Sequence, residues 1–185
     1  MSQYQIGVVV GSLRKESFNR KLANAVAKLA PADFTFQQLE IGDLPLYNQD
    51  DDAHQHANVK RLKAAITASQ GILFVTPEYN RSTPGVLKNA IDHASRPYGQ
   101  NAWAGKPTGV MGATIGSTGT AMAQQHLRNV LAYVDAPTLG QPEIYIQVND
   151  QLFDSSGGIG PDRTRKLLQG WMDRFVNWVK KHSAQ

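Results

Sequence analysis

The sequence predicts a doubly wound α/β fold, in which a five-stranded parallel sheet carries helices on both faces. Two observations predict it. Short apolar segments alternate five times with amphipathic segments of helical period, and no repeat or linker interrupts the series. Three of the apolar segments also end in small polar loops, as parallel strands do where they lead into crossover helices. All 185 residues, 1–185, are therefore predicted to form a single domain.

The composition narrows the classes of function. Hydrophobic residues make up 41% of the chain and charged residues 18%, as in an ordinary folded globule. The net charge of +4 is mild and its Lys and Arg residues are scattered, which argues against nucleic acid as a partner. The apolar runs are too short to cross a membrane and the N-terminus lacks a secretory pattern, so we expect a cytoplasmic protein.

The chain contains no cysteine. Disulfides, thiolate nucleophiles and iron–sulfur ligation are therefore all excluded. Any redox chemistry must come from a bound cofactor.

A polar loop joins the first predicted strand, 5–10, to the first predicted helix. A loop of this kind aims backbone N–H groups and the positive end of the helix dipole at one point, where a phosphate fits. Ser12, Arg14, Ser17 and Asn19 are the candidate ligands. In the alternative interpretation, the serines and Asn19 only satisfy the start of the helix and Arg14 points to water.

The other predicted elements follow in order. Half-polar patterning places the second strand at a sheet edge, and the aromatic stripe of the last helix belongs to the core. The strands are predicted at 33–39, 71–76, 107–111 and 143–148, and the helices at 57–68, around 86–91, at 120–134 and from Pro161 onwards.

The segment 50–56 holds three aspartates and two histidines. One interpretation is a metal site, which needs a closed ligand set with a second shell of partners. The other, which we favour, is a solvated loop ahead of the helix 57–68. The predictions therefore include no metal ligand.

The predicted binding region follows from the rule for open parallel sheets. Ligands bind outside the carboxyl ends of the strands at the topological switch point, which lies between strands one and three in the flavodoxin-like order. The loops 11–19, 77–85 and 112–119 would all lie at that edge.

Several of these segments resemble the NADPH-dependent FMN reductases, and most closely the bacterial chromate and quinone reductases. The resemblance covers nearly the whole chain in order. It rests on residues 11–14 (GSLR), 17–19 (SFN), 76–80 (TPEYN), 84–92 (PGVLKNAID) and 104–107 (AGKP).

The resemblance implies roles for residues of all three loops. In the family the first loop holds the FMN phosphate and the second lies along the isoalloxazine ring. The third loop departs from many relatives at 119–122, although its backbone could still border the flavin. The implied FMN-binding residues are Ser12, Arg14, Ser17, Phe18, Asn19, Pro77, Glu78, Tyr79, Asn80, Ala113, Thr114 and Gly116, and Arg81 is a candidate for an anionic substrate or the donor phosphate.

The resemblance also implies an activity. FMN would accept hydride from NADPH or NADH and pass electrons, by a ping-pong mechanism, to a quinone, a flavin or a metal oxyanion such as chromate. No side chain is expected to act as acid, base or nucleophile. A homodimer or homotetramer is implied in the same way. A non-enzymatic flavodoxin-like electron carrier and a module that binds another phosphorylated metabolite are the alternatives.

Overall fold

In a computed structural model, which describes residues 4–183, helices cover both faces of a sheet. The elements are β1 Tyr4–Val10, α1 Phe18–Ala27, β2 Phe34–Gln38, a 3-10 helix Gln49–His54, α2 Ala57–Ala68, β3 Gly71–Val75, α3 Gly85–Ala94, β4 Thr108–Thr114, α4 Ala121–Tyr133, β5 Ile144–Gln147 and α5 Asp162–Ser183. The central strands β1, β3 and β4 are buried nearly throughout, as strands covered on two sides are, and the helices are amphipathic.

The five strands are parallel and lie in the order β2-β1-β3-β4-β5. This confirms the predicted fold class and puts β2 at an edge, where Thr35, Gln37 and Gln38 are exposed. Because β1 lies beside β3, with Val10 opposite Val75, the switch point falls between these strands. The loops after β1, β3 and β4 consequently open onto one edge of the sheet.

Two apolar cores lie on opposite faces of the sheet, because successive strand residues point to opposite sides. Val8 and Val10 of β1 face α1 and α5, whereas Val9 faces α2, α3 and α4. As expected, α5 buries its aromatic stripe, and the rings of Trp171 and Phe175 stack with centroids 5.1 Å apart.

The predicted end of the fourth strand was wrong. The sequence predicts that the fourth strand ends at Met111, but β4 continues through Thr114. The extra residues Gly112, Ala113 and Thr114 pair with Tyr145, Ile146 and Gln147 of β5. Small residues followed by Thr are typical of a loop, and the pairing with β5 overrides that local preference.

The segment 50–56 forms most of the short 3-10 helix and ends at His56, the N-cap of α2. His56 Nδ1 accepts a hydrogen bond from the Asn58 N–H at 3.3 Å and so caps α2. Within residues 4–183, no cluster of three or more His, Asp or Glu side chains is arranged to hold a metal ion. No helix in that range is long and apolar enough to span a membrane.

Candidate active site

The loops after β1 and β3 are in direct contact. The Gly11 N–H donates to the Val75 carbonyl at 2.9 Å. A Cβ atom at position 11 would lie 3.2 Å from Pro77 Cδ and 3.3 Å from Leu87 Cδ2. A side chain at position 11 would therefore press against Pro77 of the β3 loop and Leu87 of α3. Glycine lets the backbone of the β1 loop approach the end of β3.

The β1 loop (residues 11–17) leaves hydrogen-bond donors free at the start of α1. Ser17 is the N-cap, and its Oγ accepts from the Arg20 N–H at 3.2 Å. Ser12 and Ser17 are buried. Within residues 4–183, the N–H groups of Phe18 and Asn19 have no acceptor. Free N–H groups at a helix N-terminus form a binding site for an anion.

Arg14 adds positive charge to this loop. Its guanidinium lies over the Phe18 ring, 5.2 Å from the centroid, and it forms no ion pair with any described residue. The neighbouring Glu16 pairs instead with Lys21 at 2.8 Å, and this hydrogen bond holds the Glu16 pKa below its ordinary value. The charge of Arg14 is therefore available to a bound anion.

The Asn19 side chain has a structural task. Its Nδ2 donates to the Ala113 carbonyl and its Oδ1 accepts from the Ala113 N–H, both at 2.9 Å. β3 ends at Val75, so this edge of β4 has lost its neighbouring strand at position 113, and the Asn19 amide takes the place of a strand backbone. Contact between Asn19 and a ligand is thereby left to its backbone N–H.

The β3 loop (residues 76–84) contains a tight two-residue turn. Tyr79 and Ser82 exchange two backbone hydrogen bonds of 3.0 Å. Asn80 and Arg81, between them, have positive φ angles of 50° and 65°, the pattern of a type I′ turn. The Tyr79 N–H is thus occupied, and within residues 4–183 the N–H groups of Glu78 and Asn80 remain without an acceptor.

Glu78 and Arg81 tie the β3 loop to α4 and to the loop before it. Glu78 Oε1 accepts from Arg81 Nη1 at 3.0 Å, and Glu78 Oε2 accepts from the Met122 and Ala123 N–H groups at 3.1 and 3.2 Å. Arg81 Nη1 also lies 3.4 Å from Thr118 Oγ1. The side chain of Glu78 is 7% exposed and that of Arg81 69%.

The predicted backbone contacts of the third loop have limited freedom. Ala113 lies in β4, 1% exposed, with both backbone groups bonded to Asn19. The Gly116 N–H is directed to Thr114 Oγ1 at 3.3 Å. The N–H groups of Ile115 and Ser117 are without an acceptor in the part of the chain that the structure describes, and sequence reasoning missed both.

Two further contacts were also missed. Thr118 lies beside Arg81, and His126 Nδ1 lies 3.0 Å from Ser82 Oγ. Both link the β3 loop to residues that follow β4. The only sequence signal was the adjacency of β3 and β4 in the expected order, which brings their loops together without specifying which side chains meet.

Ser12, Arg14 and Ser17, with the free N–H groups of Phe18 and Asn19, form an anion cradle at the start of α1. This cradle lies beside an ordered backbone turn at the switch point of a 2-1-3-4-5 sheet, which is the arrangement of a flavodoxin-like nucleotide-binding protein. The model of one family within that class, NADPH-dependent FMN reductase, matches residues 4–150. The chain belongs to this family. It is an oxidoreductase with FMN as its cofactor and NAD(P)H as its electron donor.

The chain is similar over its whole length to curated relatives. It is 52% identical over 176 residues to a 2-hydroxy-1,4-benzoquinone reductase of Burkholderia sp, covering 95% of this chain and 96% of that protein. It is 50% identical over 186 residues to a quinone reductase of Pseudomonas putida, covering all of both. The solved structure of FerB, a flavoenzyme NAD(P)H:(acceptor) oxidoreductase from Paracoccus denitrificans, superimposes with a TM-score of 0.93 at 47% identity, covering 97% and 98% of the two chains.

Proposed function

We propose that the protein passes electrons from NAD(P)H to quinones, and also to free flavins and metal oxyanions such as chromate, by a ping-pong mechanism. The observation that carries this proposal is the anion cradle at the start of α1, which lies beside the β3 turn and holds the positive charge of Arg14. The cradle suits a phosphate, and the turn offers backbone N–H groups next to it. The names of the two quinone-reductase relatives support a quinone as the acceptor.

The residues of the cradle fit the phosphate of FMN. The buried hydroxyls of Ser12 and Ser17 and the free N–H groups of Phe18 and Asn19 would bind its oxygens, and Arg14 would balance its charge. Charge-assisted hydrogen bonds of this kind are among the strongest in proteins.

The β3 loop would orient the ring of the cofactor. Pro77 is buried, Tyr79 offers a half-exposed ring, and the N–H groups of Glu78 and Asn80 are free to bond a polar ring edge. When bound, FMN supplies the hydride chemistry. The chain positions the ring and stabilises the charge that develops on it, so no side chain is assigned an acid, base or nucleophilic role.

Arg81 is our candidate for contact with an anionic substrate or with the donor phosphate. Its Nη1 is held by Glu78 and Thr118, while Nε and Nη2 have no acceptor among the described residues. The outer edge of the guanidinium is therefore presented to solvent, where it can meet an anion.

The first experiment is a visible spectrum of the purified protein, followed by anaerobic addition of NADPH. We expect flavin bands that bleach with NADPH and recover when a quinone, free FMN or chromate is added. Parallel double-reciprocal plots at several quinone concentrations would support the ping-pong order. Intersecting plots would contradict it. Absence of flavin after incubation with FMN would overturn the assignment, and reoxidation only by a partner protein would favour an electron carrier.

We also propose that two copies of the chain associate through the groove between α3 and α4. The groove measures about 900 Å³ and is bordered by Tyr98 and Tyr133, which are 90% and 88% exposed. Its charged residues include the ion pair of Lys88 and Asp92, whose atoms lie 2.7 Å apart, and Arg96. Charges of both signs on one surface suit a self-complementary interface. A homodimer or homotetramer would cover these rings.

Light scattering tests the association. Tyr133→Ser should lower the molar mass of the wild-type oligomer, whereas Leu46→Ser, at an equally exposed position outside this groove, should not. A monomeric wild type would contradict the proposal. The cytoplasmic location and the single domain over 1–185 stay predictions.

A further inference from the structure

Helix α4 begins without a capping side chain of its own. Thr120, at the N-cap, has a φ of 74° and makes no side-chain capping bond, and its Oγ1 accepts instead from Gln124 Nε2 at 2.9 Å. The first turn of α4 contains no acidic residue. The free N–H groups of Met122 and Ala123 find their acceptor in Glu78 Oε2, 44 and 45 residues earlier in the chain.

The same carboxylate holds the β3 turn from within. Its other oxygen, Oε1, accepts from Arg81 Nη1 at 3.0 Å. Arg81 has a left-handed φ of 65°, a backbone conformation that is strained for a residue with a side chain. The carboxylate thus bonds α4 and the strained residue of the turn at once, while its side chain is almost fully buried.

This double contact fixes the backbone of the β3 loop. The Glu78 N–H is one of the N–H groups of that loop that have no acceptor among residues 4–183, and its direction follows from where the Glu78 side chain is anchored. Gly112 shows how closely these parts approach, since a Cβ there would lie 2.2 Å from the Thr76 carbonyl oxygen and 2.3 Å from Thr120 Oγ1.

We propose that Glu78 is a positioning residue for FMN, which sets the direction of the ring-binding N–H groups by anchoring the β3 loop to the start of α4. The inference rests on the proposed function. The competing account is that Glu78 only stabilises α4 as a remote cap. Both accounts predict lower stability when Glu78 is removed, so the test must separate stability from cofactor geometry.

Three variants make that separation. Glu78→Gln keeps an oxygen for the α4 N–H groups but loses the ion pair. Glu78→Ala loses both contacts. Glu78→Ala with Ala121→Asp returns a negative charge to the first turn of α4 but leaves the β3 loop unanchored. Arg81→Ala is the matched control for the ion pair alone.

The measurements are thermal unfolding without FMN, the Kd for FMN and the visible circular dichroism of bound FMN. We expect FMN affinity to fall about tenfold in Glu78→Ala, the size of one charge-assisted hydrogen bond, and less in Glu78→Gln and Arg81→Ala. In the double variant the melting temperature should recover while the weaker binding and altered dichroism persist.

Two results would overturn the inference. One is a Glu78→Ala protein with lower stability but wild-type FMN affinity and dichroism. The other is full recovery of both by Ala121→Asp, since the effect would then pass through helix stability alone. Failure of the proposed function can be told apart from failure of this inference, because in that case the wild-type protein itself would not bind FMN or oxidise NADPH.

Discussion

The loops after β1 and β3 lie side by side at one sheet edge, yet they are held in different ways. The β1 loop depends largely on near neighbours in the chain, since Ser17 bonds Arg20 and Glu16 bonds Lys21. The β3 loop depends on residues 37 to 45 positions further on, which are Thr118, Met122 and Ala123.

This difference matches what each loop would bind. A phosphate needs donors and positive charge that the protein has not already used. Local capping at Ser17 meets that need, because it occupies one N–H group and leaves its neighbours free. A planar ring needs a backbone edge held at a fixed orientation, and contacts with a second element provide it. The β1 loop thus offers free donors and positive charge, and the β3 loop offers free N–H groups on an anchored backbone.

Asn19→Ala should have the largest effect on stability, because the Asn19 side chain connects the start of α1 to the distant strand β4. The change strips two hydrogen bonds from the buried Ala113 backbone, and losing both should cost about 2–5 kcal/mol of unfolding free energy. Urea denaturation measures this loss. Asn177→Ala, at an exposed position of α5 outside the proposed subunit groove, is the control and should change little. A loss below about 1 kcal/mol for Asn19→Ala would show that other groups replace the amide.

Arg14→Ala should have the second-largest effect, and it tests whether the free charge of the β1 loop contributes to FMN binding. We expect FMN binding to weaken by about 1.5–3 kcal/mol, which is roughly ten- to a hundredfold in Kd. Fluorescence titration of the apoprotein measures it. Lys15→Ala removes an equal charge from the adjacent exposed position and should have a smaller effect. Equal Kd values for the two variants would remove Arg14 from the site.

Two substitutions of Arg81 test whether the backbone of the β3 turn is strained at this position. Arg81→Gly and Arg81→Ala both lose the ion pair with Glu78, but only alanine keeps a Cβ at the positive φ of 65°. The glycine variant should therefore be more stable by about 1 kcal/mol in chemical denaturation. Equal stability would mean that the turn has changed its conformation. Both variants should bind NADPH more weakly if Arg81 meets its phosphate.

Glu16→Gln should have the smallest effect, since the Glu16 side chain is largely exposed. Removing its charge beside Arg14 should strengthen FMN binding by less than about threefold, and less still at high salt. Hydrogen bonding from Lys21 lowers the pKa of Glu16 from its ordinary value. The contribution of its charged form is therefore present above the ordinary pKa of a glutamate and lost only as the pH falls through the lowered pKa. The ratio of the two Kd values should accordingly be constant between about pH 6 and about pH 8.

The sequence was most informative where local pattern and tertiary role coincide. β1 and β3 are continuous apolar runs, and both were located almost to the residue. Ser17 was expected as a cap because serine at a helix start has this local role. β4 was predicted too short, because residues 112–114 have no strand pattern of their own and depend on pairing with β5.

By itself, then, the sequence determined the alternation of strands and helices, the polar loops at one edge, and the family. The tertiary structure decided which polar groups in those loops are free. The side chain of Asn19 is bonded to Ala113, 94 residues away, so only its backbone N–H is left for a ligand, and the side chain of Glu78 is bonded to α4. Periodicity and capping rules describe interactions within a few residues, whereas these contacts arise only when the sheet brings distant segments together. The direction of a buried polar side chain depends on such partners, because leaving it unpaired costs more than any local preference supplies.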